Sequence, residues 1–167
     1  MQVDYNGDHK PVRIVMCKPH DLHQHLRDGA MLERVAPMVA KRFRSAIVMP
    51  NTVPPVTTAQ MALDYRRRIL DATGPIGFYP LMTLYLTDTL EPDEIKLGFD
   101  CCAVYAIKYY PRGLTTNSDS GVKNPSDLWK PGTKPYDCLQ MLAHRGGVLL
   151  LHAADGYDKD GVELDPY

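Results

Sequence analysis

The sequence predicts an α/β fold in which helices cross over a parallel sheet. Three features point there. Short apolar runs rich in β-branched residues alternate with segments whose apolar residues recur at helical spacing, the pattern of strands joined by crossover helices. Two runs, Ala46-Ile-Val-Met49 and Val148-Leu-Leu-Leu151, are continuously apolar, as strands covered on both faces are. Polar side chains suited to chemistry stand where the runs finish, and parallel α/β folds gather their sites at the C-terminal ends of strands. A doubly wound open sheet and part of a (β/α)8 barrel both satisfy these features.

In chain order, Arg13–Cys17 is a small strand candidate and Asp21–His25 a second. Ala30–Arg44 is a helix with Leu32, Val35, Ala36, Val39 and Phe43 on one stripe. Ser45–Met49 is a strand, stopped by Pro50. Thr57 or Thr58 caps a helix over Ala59–Ala72 whose inner face carries Ala62, Tyr65 and Ile69; Gly74 and Pro75 end it. Phe78–Leu86 is a strand, and Pro92 opens a short helix through Phe99. Ala103–Tyr109 is a strand, followed over 111–135 by a stretch rich in Gly, Pro, Ser and Thr. A helix from about Tyr136 to His144 leads through Gly146-Gly147 to the last strand, Val148–Leu151.

The bulk properties narrow the functional classes. With 167 residues, 44% apolar and 23% charged, the chain can build a sizeable core. A net charge of −1 supplies no broad attraction for nucleic acid or an anionic membrane. No apolar run approaches the roughly 18 residues of a membrane span, and the polar start, Met1–Lys10, does not resemble a secretory signal. Cys17, Cys101, Cys102 and Cys138 form no CxxC pair and read as reduced thiols. The expected location is the cytoplasm.

The strand ends carry the chemistry. His23 and His25 are two apart, so in a strand both imidazoles point to one face and can reach one metal ion. Taken alone, such a pair is more often two hydrogen-bonded histidines. Asn51, Lys108 and His152 end three further strands, which favours a site. Arg27 follows the pair, and its planar fork suits a carboxylate, although an arginine on a loop is usually a solvated charge. Asp28 reads as a helix cap. Lys108 interrupts an apolar strand. Burial lowers a lysine pKa, and the neutral amine can take up carbon dioxide as a carbamate able to bridge two metals. A lysine snorkelling to the sheet edge is the plain alternative. His152 alone would be a satisfied core histidine. His9, His20 and His144 lack such placement.

Four segments together resemble the dihydroorotases, of the single-function bacterial and yeast-like type within the amidohydrolase superfamily. They are His23-Gln-His-Leu-Arg-Asp-Gly29, Val48-Met-Pro-Asn51 with Pro54-Pro-Val-Thr-Thr58, Ile107-Lys-Tyr-Tyr-Pro111 with Thr115-Thr-Asn-Ser118, and Leu150-Leu-His152. The resemblance runs from about His20 to the end. It implies a (β/α)8 barrel, of which residues 1–167 are one N-terminal part with about five strands and four helices. It also implies two zinc ions: His23 and His25 on the first, His152 on the second, and carbamylated Lys108 bridging both. Arg27 and Asn51 would grip the substrate, and Thr115 and Thr116 would lie on a loop that closes over it.

The implied reaction is reversible hydrolysis of dihydroorotate to N-carbamoyl-L-aspartate in pyrimidine biosynthesis, with metal-activated water attacking the ring amide. The resemblance places the proton-moving aspartate and a further metal histidine after a later strand, beyond Tyr167. Asp155, Asp158, Asp160 and Asp165 come too early to match it. The expectation is therefore a fragment, inactive alone, from a protein that is a homodimer at full length. Ala153-Ala154 departs from the Gly-Glu frequent in relatives, which touches a supporting contact. Another cyclic amidohydrolase of hydantoinase type, or a catalytically silent barrel serving as an assembly partner, are the competing readings. Arg27 with Asn51 favours a substrate bearing a carboxylate.

Overall fold

The strands marked by the sequence pair in the order in which the chain makes them. The computed structural model describes residues 2–154. It opens with an antiparallel hairpin, β1 (Gln2–Tyr5) and β2 (Pro11–Val15). Next comes a five-stranded parallel sheet of β3 (His20–Gln24), β4 (Ser45–Val48), β5 (Tyr79–Leu86), β6 (Ala106–Tyr109) and β7 (Val148–Leu151). Helices α1 (Gly29–Arg42), α2 (Ala59–Thr73), α3 (Pro92–Asp100) and α4 (Lys134–His144) make the four crossovers, each packed on the next.

This order decides between the two architectures left open. A doubly wound sheet reverses its strand order at a switch point. Here each strand lies beside its sequence neighbour, β3-β4-β5-β6-β7, and the sheet winds one way as part of a (β/α)8 barrel.

The two faces of the sheet differ. Ala46, Val48, Met82, Leu84, Leu86 and Ile107 point toward the helices and pack with Leu32, Ala36, Ala62, Tyr65, Ile69 and Ile95 in one apolar core. Burying one such Leu or Ile side chain contributes about 1.5–3 kcal/mol. Alternation sends the residues between them to the other face, where Tyr85 pairs with Lys108 and Lys108 with Leu150 across β5, β6 and β7.

Local chemistry sets the ends of the helices. Asp28 caps α1 by accepting from the Gly29 N–H at 2.9 Å, as read from sequence. Of the two candidates for α2, Thr58 is the cap, its Oγ accepting from Met61 N–H at 3.1 Å. Gly74 closes α2 at φ 62°, a left-handed conformation suited to glycine. Thr133 caps α4, so this helix starts at Lys134, earlier than expected, with Pro135 in its first turn.

Other boundaries differ from the expectations. The polar start holds a strand that the sequence reading did not mark: Gln2–Tyr5 pairs with Pro11–Val15 through a turn in which Asn6 Oδ1 accepts from Asp8 and Lys10 N–H. Ala103 and Val104 are not strand; their N–H groups close α3 on the Gly98 carbonyl. The 111–135 stretch contains a 3₁₀ turn at Pro125–Leu128. All four cysteines are free thiols, Cys138 being buried. No helix among the described residues is long and apolar enough to cross a membrane.

Candidate metal and substrate site

His23 and His25 converge. The Nε2 atoms of the two rings lie 3.2 Å apart, with the ring centroids at 5.1 Å. Asp21 Oδ1 accepts from the His23 N–H at 3.0 Å and steadies the end of β3. Burial pushes the His25 pKa down to about 4, helped by the Arg27, His23 and Lys108 charges and opposed by a hydrogen bond to Asn51. Burial and Lys108 also lower His23, against the pull of Asp21. Both rings are therefore neutral at pH 7, the form that ligates metal. Two nitrogens on one tetrahedral zinc, each at roughly 2.0–2.1 Å, stand about 3.3 Å apart. The observed spacing fits a shared ion.

Lys108 sits on the inner face of β6 at 1% exposure. It makes no hydrogen bond or ion pair among the described residues, and burial lowers its pKa. Its Nζ lies 4.9 Å from the centroid of the Tyr110 ring. The plain alternative, a lysine snorkelling to the surface, is at odds with that burial. His152 follows β7, its N–H donating to the Tyr109 carbonyl at 3.1 Å and its ring 6.0 Å from that of Tyr110. His152 and Lys108 both lie near enough to His23 for their charges to depress its pKa.

The structure thus brings His23 and His25 together and sets Lys108 and His152 beside them. Among the described residues, no three His, Cys, Asp or Glu side chains converge closely enough to hold a metal. His20, given no role from sequence, bonds Ser45 Oγ through Nδ1 at 2.7 Å.

Arg27 adopts φ 61°, an uncommon conformation for a residue with a Cβ. Two residues of α2 hold it there. Tyr65 donates to the Arg27 carbonyl, while Arg68 binds both carboxylate oxygens of Asp28, at 3.0 and 2.7 Å. The backbone is thereby fixed while the Arg27 guanidinium stays near His25.

Asn51 is 4% exposed and meets the predicted closing loop directly. Its Nδ2 donates to the Thr116 carbonyl at 2.8 Å, and Asn117 Nδ2 donates back to the Asn51 carbonyl at 3.1 Å. Ser118 Oγ binds the Thr115 backbone on both sides, accepting from its N–H and donating to its carbonyl. The base of the loop is stapled by Arg112 and Val122. There Gly121 is needed for space, because a Cβ would stand 2.4 Å from the Tyr110 carbonyl. Arg27 and Asn51 both act on His25, and Asn51 also holds the loop through the Thr116 carbonyl.

Sequence reasoning missed Tyr110, Tyr65 and Ser118. Tyr110 could have been found, because it lies two residues past Lys108, the same spacing that linked His23 to His25. Asp155, Asp158, Asp160 and Asp165 lie outside the described residues.

No family model matches the chain. Individual relatives do. A dihydroorotase from Acidovorax is 45% identical over 159 residues, covering 91% of this chain and 44% of that protein. One from Halorhodospira halophila is 46% identical over 154 residues, covering 91% and 41%. Among solved structures, a Campylobacter jejuni dihydroorotase superposes with TM-score 0.72 at 35% identity, over 86% of this chain and 39% of that one. The Saccharomyces cerevisiae dihydroorotase in complex with 5-fluoroorotic acid gives TM-score 0.72 at 31% identity, over 84% and 38%. An L-hydantoinase from Arthrobacter aurescens shares the fold, with TM-score 0.60 at 20% identity. The chain spans less than half the length of the curated relatives it matches. In sequence and in fold, over most of its length, it is similar to the N-terminal portion of the dihydroorotases.

Proposed function

We propose that this chain supplies the metal-binding and substrate-gripping half of a zinc-dependent dihydroorotase, which interconverts dihydroorotate and N-carbamoyl-L-aspartate in pyrimidine biosynthesis. The observation that carries the reading is the pair of neutral imidazoles with Nε2 atoms 3.2 Å apart, set beside a buried lysine without an acidic partner among the described residues. Similarity to dihydroorotases at about 45% identity supports it.

His23 and His25 would hold one zinc ion and His152 a second, with Lys108, as a carbamate, a ligand shared by both. The buried Lys108 favours the carbamate because an ammonium there is costly, while a carbamate on a metal is charge-compensated. When bound, the two zinc ions lower the pKa of water and polarise the ring amide. Arg27 offers its fork to the substrate carboxylate, and Asn51 orients the ring from the rim of the histidine pair. The loop carrying Thr115 and Thr116, tied to Asn51, shields this pocket from bulk water. The exposed free thiols of Cys17, Cys101 and Cys102 suit the reducing cytoplasm.

The test is turnover by the intact protein that carries this chain, zinc-loaded and chelated. Zinc-dependent interconversion of dihydroorotate and N-carbamoyl-L-aspartate is expected, with hydantoin a poor substrate. Faster turnover of hydantoin would move the assignment to a hydantoinase-like enzyme. A purified protein with neither zinc nor turnover would support the silent barrel.

A further inference from the structure

Tyr110 carries a hydroxyl that no described residue uses. The residue is 1% exposed, and its hydroxyl has no hydrogen-bond partner among the described residues. Buried polar atoms are nearly always paired, because desolvating one without a partner is costly. The ring cannot turn away: Tyr85 packs edge-on at 5.0 Å between centroids, and His152 lies against it at 6.0 Å. Lys108 Nζ lies 4.9 Å from the ring centroid, so the phenol stands on the candidate site's face of the sheet. The Arg27 charge lies near enough to act on the phenol.

A fixed donor without an acceptor, beside an arginine that also lacks an acidic partner among the described residues, matches an anionic ligand. Hydrogen bonds to carboxylates are the strongest such a phenol makes. We propose that the Tyr110 hydroxyl is a substrate-binding group that donates to the same carboxylate as Arg27. This rests on the dihydroorotase reading.

The experiment measures orotate, an unreactive planar carboxylate analogue, binding by calorimetry to the zinc-loaded intact protein. The variants are Tyr110→Phe, Arg27→Lys and the double. Tyr110→Phe is expected to weaken orotate about tenfold or more. Its ligand-free melting temperature should be unchanged or higher, because the lost hydroxyl had no partner. The two single losses should be non-additive, as for groups gripping one anion. Unchanged orotate affinity overturns the proposal. So does a lower ligand-free melting temperature, which marks a structural hydroxyl, and so do additive losses, which mark a different target atom. If the unsubstituted protein neither binds orotate nor turns over dihydroorotate, the dihydroorotase reading fails and takes this proposal with it. Orotate binding by the unsubstituted protein separates the two failures.

Discussion

The Tyr65 hydroxyl, on the inner stripe of α2, donates to the Arg27 carbonyl at 2.5 Å. A helix of the outer layer thus holds the backbone of a residue that the reading above places on the substrate. Tyr65→Phe keeps the buried ring and removes only this bond. A loss of about 0.5–1.5 kcal/mol in urea unfolding is expected, more if the carbonyl finds no water. KM for dihydroorotate should rise more than kcat falls, since the effect reaches the substrate through Arg27. Equal KM in the variant would show that Arg27 does not need the tether.

Asp28 and Arg68 form a second tether to α2, and it titrates. Partial burial works to raise the Asp28 carboxyl, but the Arg68 hydrogen bonds and charge, with the Gly29 N–H, hold it below its ordinary value. A carboxyl lowered on folding stabilises the protein fully above its unfolded pKa, about 3.9. That contribution is lost as pH falls through the still lower folded value. Asp28→Asn should therefore show a shallower loss of stability over this acidic window. The gap at pH 7 should be only about 0.2–1 kcal/mol, because the pair is partly exposed. Asp28→Ala also removes the α1 cap and should cost about 1 kcal/mol more. Parallel curves for the native and Asn proteins across that window would show the pair to be silent.

Asn51 joins the histidine pair to the loop of Thr115 and Thr116 through the 2.8 Å bond to the Thr116 carbonyl. In Asn51→Ala the loop loses this tie and keeps only the Asn117 bond to the backbone carbonyl of residue 51. Limited proteolysis should then cut within residues 113–118 several times faster than in the unsubstituted protein. Unaltered cleavage there would mean that Ser118 and the Arg112–Val122 staple suffice to hold the loop.

On the proposed function the histidines divide into ligands and structural groups. His23→Ala or His25→Ala should each lower zinc affinity more than tenfold, measured by competition with a chromogenic chelator. His20→Ala should leave zinc affinity unchanged and cost only the stability of its Ser45 hydrogen bond, about 0.5–1.5 kcal/mol. Equal zinc loss in all three variants would remove the distinction.

Much of the fold was legible because its signals are local. The apolar run of β4, the stripe of Ala62, Tyr65 and Ile69 on α2, and the caps Asp28 and Thr58 follow from side-chain spacing and backbone hydrogen-bond needs. The β1–β2 hairpin was not legible. Its strands are largely exposed and mix polar with apolar residues, so no face of it reads as buried. The start of β6 was misplaced because Ala103 and Val104, apolar and buried, serve the end of α3 instead.

By itself the sequence determined which side chains could do chemistry and, through the two-residue period of strands, that His23 and His25 share a face. It left open whether the sheet is doubly wound or barrel-like, because alternating strands and helices satisfy both. Tertiary structure decided that through strand order, a property of non-local pairing that no short window contains. It likewise decided that Asn51 meets Thr116 across 65 residues, and that α2 tethers the chain at Arg27. That the Tyr110 hydroxyl has no partner among the described residues also emerges only there, since neighbours distant in sequence are visible only in the folded chain.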